Sequence, residues 1–387
     1  MPGEDATLTV GLGFVPASVA APDADRPGLL RAGPRAAAPY ARDAVEVHAC
    51  RATDACQPGS SPPDLLEHGF DAVDLSPLDD LQEACARVRA AGHVTDEDAA
   101  TIRGALQGAV LRSVGGREVT VLFLAEEGFI MRTAGPNGMA VVGARSQGMN
   151  GHGGATSVHA DQDVFGTPLT QLMDGRAPSL FRHDSPDGHN HDAGLLLANL
   201  WIPLQQITQP LALCDGRSID RRRHQLRYGL ATESFLDREE DMAVNDIWTF
   251  LHDPGQRWYL RSAMDHRTAY LFNTLSTPHG AGTLPGEDVA ERSYRALEAA
   301  ETAVAGGDVG ALVRAVAPVG PPETATDAPR PLVEAIEAMA AVATEARTDP
   351  ALVCGDGADA WLDRSRRARR RVVRMSLEMR VVVSLDG

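Results

Sequence analysis

The stretch Arg371–Leu385, RVVRMSLEMRVVVSL, decides how the chain is read. Alternation sets Arg374, Ser376, Glu378 and Arg380 on one face and Met375, Leu377, Met379 and Val381 on the other, the period-two pattern of a pleated strand. The segments before it differ in character. Glu287–Val304, Val309–Val316, Leu332–Ala346 and Ala358–Arg370 have helical spacing, are rich in Ala and Glu or in Arg, and are separated by Pro and Gly. Because the chain returns to strand after them, residues 282–371 read as a helical insertion between two strands of one sheet system.

Working upstream, short strand patterns recur at Thr156–Ala160, Leu195–Pro203, Leu211–Cys214, Asp246–Leu251, Trp258–Arg261 and Ala269–Thr274. Such spacing without intervening helices predicts a sandwich or jelly-roll barrel. Arg117–Phe129 reads as a β-branched strand, followed by a long Gly-rich loop through Gly154. Leu78, Leu81, Ala84 and Val88, then Ile102, Leu106 and Val110, predict two helices, with Thr95 as the N-cap of the second. Residues 1–63 are expected to form an irregular arm with one strand at Ala44–His48. The expected organisation is therefore the arm 1–63, a core of 64–281 plus 372–387, and the insertion 282–371 acting as a lid or an oligomer interface.

Composition narrows the chemistry. All 36 basic residues among the 387 are arginine, so no Schiff-base lysine, pyridoxal-phosphate anchor or Walker A lysine can be present. The net charge of −17 argues against nucleic acid as the main ligand. The N-terminus lacks a basic segment followed by an apolar run, and no run approaches the ~20 residues of a membrane span. A cytoplasmic protein without membrane association is expected. Cys50, Cys56, Cys85, Cys214 and Cys354 are odd in number and scattered, which predicts free thiols.

His159-Ala160-Asp161 ends a predicted strand, where residues two apart share a face and can share one metal. A third ligand from a distant strand would complete the two-histidine, one-carboxylate set that leaves positions open on Fe(II) for a bidentate co-substrate and O2. His279, at the turn into the insertion, is the leading choice, with His252 and His266 as competitors. Arg374 and Ser376 would offer a guanidinium fork and a hydroxyl to one carboxylate, as the distal carboxylate of 2-oxoglutarate requires. His183-Asp184 and His189-Asn190-His191-Asp192 lie in a turn-rich segment and read as solvent-exposed. The arginine run Arg364–Arg371 reads as ion-paired with the acidic helices before it.

The runs Asn199-Leu200-Trp201-Ile202-Pro203, Pro210 to Asp215, Pro254 to Tyr259, Pro278-His279 and Arg374 to Arg380 together resemble the cephamycin-methoxylation-protein and fungal gibberellin-desaturase-like family of Fe(II)/2-oxoglutarate-dependent oxygenases. The resemblance extends from about His68 to Val383, apart from the insertion. It implies a mixed β/α fold: a double-stranded β-helix (jelly-roll, cupin-like) core with flanking N-terminal helices and the helical insertion before the last core strand. It also implies His159, Asp161 and His279 as iron ligands, Arg374 with Ser376 as the 2-oxoglutarate clamp, and Asn199 and Trp201 on the co-substrate side of the pocket. Arg257, Trp258 and Tyr259 would lie on a nearby strand, and Arg380 is the alternative clamp.

The implied activity is that of a non-haem iron dioxygenase. It would use 2-oxoglutarate and O2 to hydroxylate, desaturate or cyclise a small organic metabolite in specialised, antibiotic-type biosynthesis. The carboxylate of Asp161 disfavours halogenation. Ile202, Gln162-Asp163-Val164 and Gly280-Ala281-Gly282 depart from the family pattern and leave the substrate open. Two other readings use the same barrel, a non-catalytic pathway partner and a cupin-like metal hydrolase or isomerase.

Overall fold

The alternating and helical patterns resolve into two β-sheets and two groups of helices. The computed structural model describes residues 7–24, 27–32, 45–56, 62–125, 129–141, 148–150, 152–161, 195–231, 244–262, 264–274, 276–317 and 327–385. In chain order the first half holds β1 (Thr7–Phe14), β2 (Ala20–Pro22), β3 (Leu30–Ala32), β4 (Glu46–Asp54), β5 (Phe70–Asp74), α1 (Asp79–Ala91), α2 (Asp96–Leu106), β6 (Val110–Ser113), β7 (Glu118–Leu124), β8 (Ile130–Ala134) and β9 (His159–Ala160). Next come β10 (Leu195–Gln205), β11 (Leu211–Cys214), the single turn α3 (Arg221–His224), β12 (Gln225–Ala231), β13 (Val244–Phe250), β14 (Trp258–Leu260), β15 (Thr268–Asn273) and β16 (His279–Ala281). The helices α4 (Glu287–Ala305), α5 (Val309–Ala315), α6 (Arg330–Thr348), α7 (Pro350–Cys354) and α8 (Ala358–Arg370) precede β17 (Arg374–Ser384).

One sheet runs in the order β1-β4-β14-β11-β16-β9-β13-β12-β3-β2. The other runs β10-β15-β5-β6-β7-β17-β8, and β10 also pairs with β17, so this sheet curls back on itself. Phe70, Trp201, Tyr270 and Phe272 of the second sheet cluster with Leu211 and Leu213 of the first, which places an interior between the two. The neighbouring positions Ala198, Leu200 and Ile202, pointing the other way, join the main core with Leu81, Ala84 and Val88 of α1 and Ile102 and Leu106 of α2. Thr95 caps α2 by accepting from the Asp98 N–H at 3.1 Å.

The first 63 residues require a correction. The strand expected at Ala44–His48 is the start of β4, but in place of an otherwise irregular arm three more strands join the larger sheet: β1 pairs antiparallel with β4 from Thr7↔Thr53 to Phe14↔Glu46, and β4 lies parallel to β14. Leu8, Val10, Leu12 and Phe14 alternate as a strand requires, but Gly11 and Gly13 on the opposite face lower its strand propensity and disguise it. The structure needs the second of them, because a Cβ at Gly13 would lie 2.5 Å from the Thr156 carbonyl oxygen. At that contact the Val158 N–H donates to the Gly13 carbonyl at 2.8 Å, so β1 braces the segment that presents His159.

Helices α4–α8 pack on one another through Leu297, Leu312, Leu332, Met339 and Trp361, all buried. Arg369 pairs with Glu301 at 2.6 Å and Glu298 at 3.1 Å and lies over the Tyr294 ring; Arg364 pairs with Glu345. All five cysteines are free thiols. Among the described residues, no helix is long and apolar enough to cross a membrane. The histidines at 183, 189 and 191, and Gln162, Asp163 and Val164, lie outside the described residues.

Candidate metal centre

Strand β9 lies between β13 and β16, and its first residue, His159, sits opposite Thr249 on one side and His279 on the other. A directly opposed antiparallel pair presents both side chains on one face, and the two imidazole centroids are 4.4 Å apart. Asp161, two residues after His159, completes a cluster whose ligand atoms all lie within 4.8 Å of one another. Its oxygens are 3.3 Å from His159 Nε2 and 3.7 Å from His279 Nε2. Each histidine turns Nδ1 to the carbonyl two residues upstream, Ser157 at 2.8 Å and Thr277 at 3.0 Å. A proton on each Nδ1 satisfies those carbonyls and leaves both Nε2 lone pairs for a cation.

Asn199 Nδ2 donates to Asp161 Oδ2, and Arg380 Nη2 lies 3.7 Å from the same oxygen. Burial alone would raise the Asp161 carboxyl, but His279, His159 and Arg380 hold it well below the ordinary range. Burial and the neighbouring His159 push His279 down to about 4. Burial opposes charge on His159 as well, yet its bond to Asp161 prevails and raises it. Two imidazole nitrogens and one carboxylate form a donor set suited to a divalent transition metal.

Beside the histidines a small cavity, partly open to solvent, is lined by Arg132, His159, Leu211, His279, Arg374 and Glu378, with Ala155, Gly280 and Ala281 completing the wall. Arg374 is only 2% exposed. It donates through Nη1 to the Gln209 carbonyl and through Nη2 to Ser376 Oγ, both at 3.2 Å, and packs over Trp201 at 5.4 Å. Among the described residues its Nε has no hydrogen-bond partner and no carboxylate bonds it. Burial lowers its pKa to about 10. Arg132, by contrast, has its acid: Nε donates to Glu378 Oε1 at 2.7 Å. Glu378 and Glu287 offset the Arg374 charge only from a distance, so this guanidinium, bonded to neutral acceptors, keeps part of its desolvation cost beside the histidine cluster.

Of the residues singled out in the sequence, His159, Asp161, His279, Arg374 and Ser376 gather here. Asn199 bonds Asp161, and Trp201 lies beneath Arg374. His252 stacks on His48 at 4.0 Å, away from the cluster, and the carbonyl of His266 accepts from Gln82. Arg257 pairs with Asp215 at 2.7 Å. Sequence reasoning missed Arg132, which β8–β17 pairing sets opposite Ser376, and Gln209, because no spacing rule links either to the terminal strand.

Residues 144–285, which include His159, Asp161 and His279, match a family model described as an Oxidoreductase/YMDC permease-like domain. No curated protein matches the chain. Among solved structures, the iron and alpha-ketoglutarate-dependent endoperoxidase NvfI is similar at 19% identity over 72% of this chain and 91% of that chain, with a TM-score of 0.42. The same endoperoxidase in a different conformation is similar at 17% identity over 99% of both chains, with a TM-score of 0.45.

Proposed function

We propose that the chain is an Fe(II)/2-oxoglutarate-dependent dioxygenase on a double-stranded β-helix core, oxidising an unactivated C–H bond of a small organic metabolite. The observation that carries this is the His159–Asp161–His279 cluster, whose two histidines line one cavity with a buried arginine that, among the described residues, no carboxylate bonds. His159, Asp161 and His279 would hold the metal, which when bound supplies O2 activation coupled to decarboxylation of 2-oxoglutarate to succinate and CO2. Arg374 and Ser376 would receive the distal carboxylate, giving the guanidinium the anion it lacks. Asn199 and Arg380 keep Asp161 ionised and oriented. Arg132 is occupied by Glu378, so the second cavity arginine is neutralised and one anion site remains.

In this reading the core comprises 64–281 and 372–387 together with the strands before residue 54, and 282–371 is an inserted lid or oligomer interface. A role in specialised biosynthesis is what the family resemblance implies. A metal hydrolase built on the same three ligands would have no use for Arg374 unpaired beside them. The test is succinate release by iron-loaded protein supplied with 2-oxoglutarate, O2 and a mixture of small metabolites. Release that requires both iron and O2 is expected; turnover of a substrate under zinc or manganese without O2 would contradict the proposal.

A further inference from the structure

Among the described residues, two non-glycine residues hold a left-handed backbone, Asn137 at φ 56° and Gln209 at φ 50°. A Cβ makes this conformation unfavourable, and such residues persist only where their surroundings hold them. Gln209 is the less natural of the two, because it precedes Pro210, and a residue before proline favours extended backbone with negative φ.

Both left-handed N–H groups end on one carboxylate. Gln209 N donates to Glu287 Oε1 at 2.8 Å and Asn137 N to Glu287 Oε2 at 2.7 Å. Leu284 N adds a bond to Oε1 at 3.0 Å and Gln209 Nε2 one to Oε2 at 2.7 Å, so each oxygen takes two neutral donors. Glu287 is fully buried and is the first residue of α4, where the helical insertion begins. On its other side Gln209 presents its carbonyl to Arg374 Nη1. The neighbouring Thr208 hydroxyl donates to the Val372 carbonyl at 2.8 Å, tying the same loop to the chain just before β17.

We propose that Glu287 is a positioning residue: it fixes Gln209 in the left-handed conformation whose carbonyl orients the Arg374 guanidinium, and so the inserted helices set the affinity of the cavity for its anion. The inference rests on the reading of Arg374 as the 2-oxoglutarate clamp. Without the carboxylate, Gln209 loses two of the bonds that hold it against its preferred backbone, and its carbonyl swings off the guanidinium. Glutamine at 287 keeps the shape but replaces an acceptor oxygen with an N–H2 group facing N–H donors.

The experiment compares the full chain with Glu287→Gln and, as a control on general destabilisation, with Leu297→Ala, whose side chain is buried in the same helix. Anaerobic iron-loaded protein is titrated with 2-oxoglutarate by its visible absorbance, iron affinity is measured separately, and amide hydrogen exchange is read at Asn137 and Gln209. Glu287→Gln is expected to raise half-saturating 2-oxoglutarate about tenfold, to leave iron affinity unchanged, and to lose exchange protection at both amides. Leu297→Ala is expected to lower thermal stability while leaving half-saturation as in the wild type. Unchanged half-saturation in Glu287→Gln, or an equal rise in Leu297→Ala, overturns the inference. Wild-type protein that takes up iron but ignores 2-oxoglutarate overturns the proposed function instead, and retained protection at Asn137 and Gln209 in Glu287→Gln then still removes the anchoring role.

Discussion

The two faces of β17 are both withdrawn from water, for opposite reasons. Met375, Leu377, Met379 and Val381 join the main apolar core, where each gains from leaving water. Arg374, Ser376, Glu378 and Arg380 face the cavity side, where charge leaves water at a cost. Glu378 recovers part of that cost from Arg132 and Arg380 part from Asp161, whereas Arg374 has only neutral acceptors. The difference teaches that one face of the strand supplies folding energy and the other spends some of it to hold charge in the interior, which in the proposed function is what an anion site needs.

That contrast can be broken at each face. Leu377→Ala should destabilise the protein by about 3 kcal/mol in chemical denaturation, as a fully buried leucine does when a cavity replaces it, with 2-oxoglutarate affinity in the surviving folded protein unchanged. Arg374→Leu should do the reverse. Affinity for 2-oxoglutarate should fall about 100-fold, near 2.7 kcal/mol, while the ligand-free protein becomes no less stable and gains up to about 1 kcal/mol. A ligand-free Arg374→Leu protein that unfolds several kcal/mol more easily would show that the arginine is structural.

A buried acid with its cations in place sharpens the comparison. Asp215 is fully buried and accepts from Arg217 and Arg257. Burial raises its pKa, but those two arginines and the Arg217 amide prevail and hold it below the ordinary 3.8. Its folded pKa is depressed, so its contribution is present above that ordinary value and is lost as pH falls through the folded one. Asp215→Asn should cost about 2 kcal/mol at neutral pH, less than a fully buried pair because both arginines stay partly in water. The gap from wild type should close on acidification below pH 3.8; a gap constant down to the acid limit would refute the pairing. The smallest effect expected is that of Asn199→Ala, about tenfold weaker iron binding through loss of the donor that orients Asp161, measured by anaerobic calorimetry.

What the sequence discloses and what it hides follow from the range of the interactions. The alternation at residues 374–384 and the helical spacing of Ala358–Arg370 are local, and the strand and helix lie where those patterns place them. His159-x-Asp161 is legible for the same reason. The direct opposition of His159 and His279 depends on strand register across a long loop of chain, which no local pattern encodes. Strand β1 is disguised by two glycines of low strand propensity, of which Gly13 is required by close packing. The link from Glu287 through Gln209 to Arg374 leaves no trace at all, since a left-handed glutamine before a proline contradicts every local preference and is held only by tertiary bonds.

The central claim is that one cavity holds a metal on His159, Asp161 and His279 and an anion on Arg374. Anaerobic titration of the wild-type chain with Fe(II) and then 2-oxoglutarate tests it most directly. One iron per chain, followed by a weak visible charge-transfer band on adding 2-oxoglutarate, is the predicted result, with no iron retained by His279→Ala and the band displaced to far higher 2-oxoglutarate in Arg374→Leu. Folded, iron-loaded wild-type protein that gives no band at any 2-oxoglutarate concentration would contradict the account.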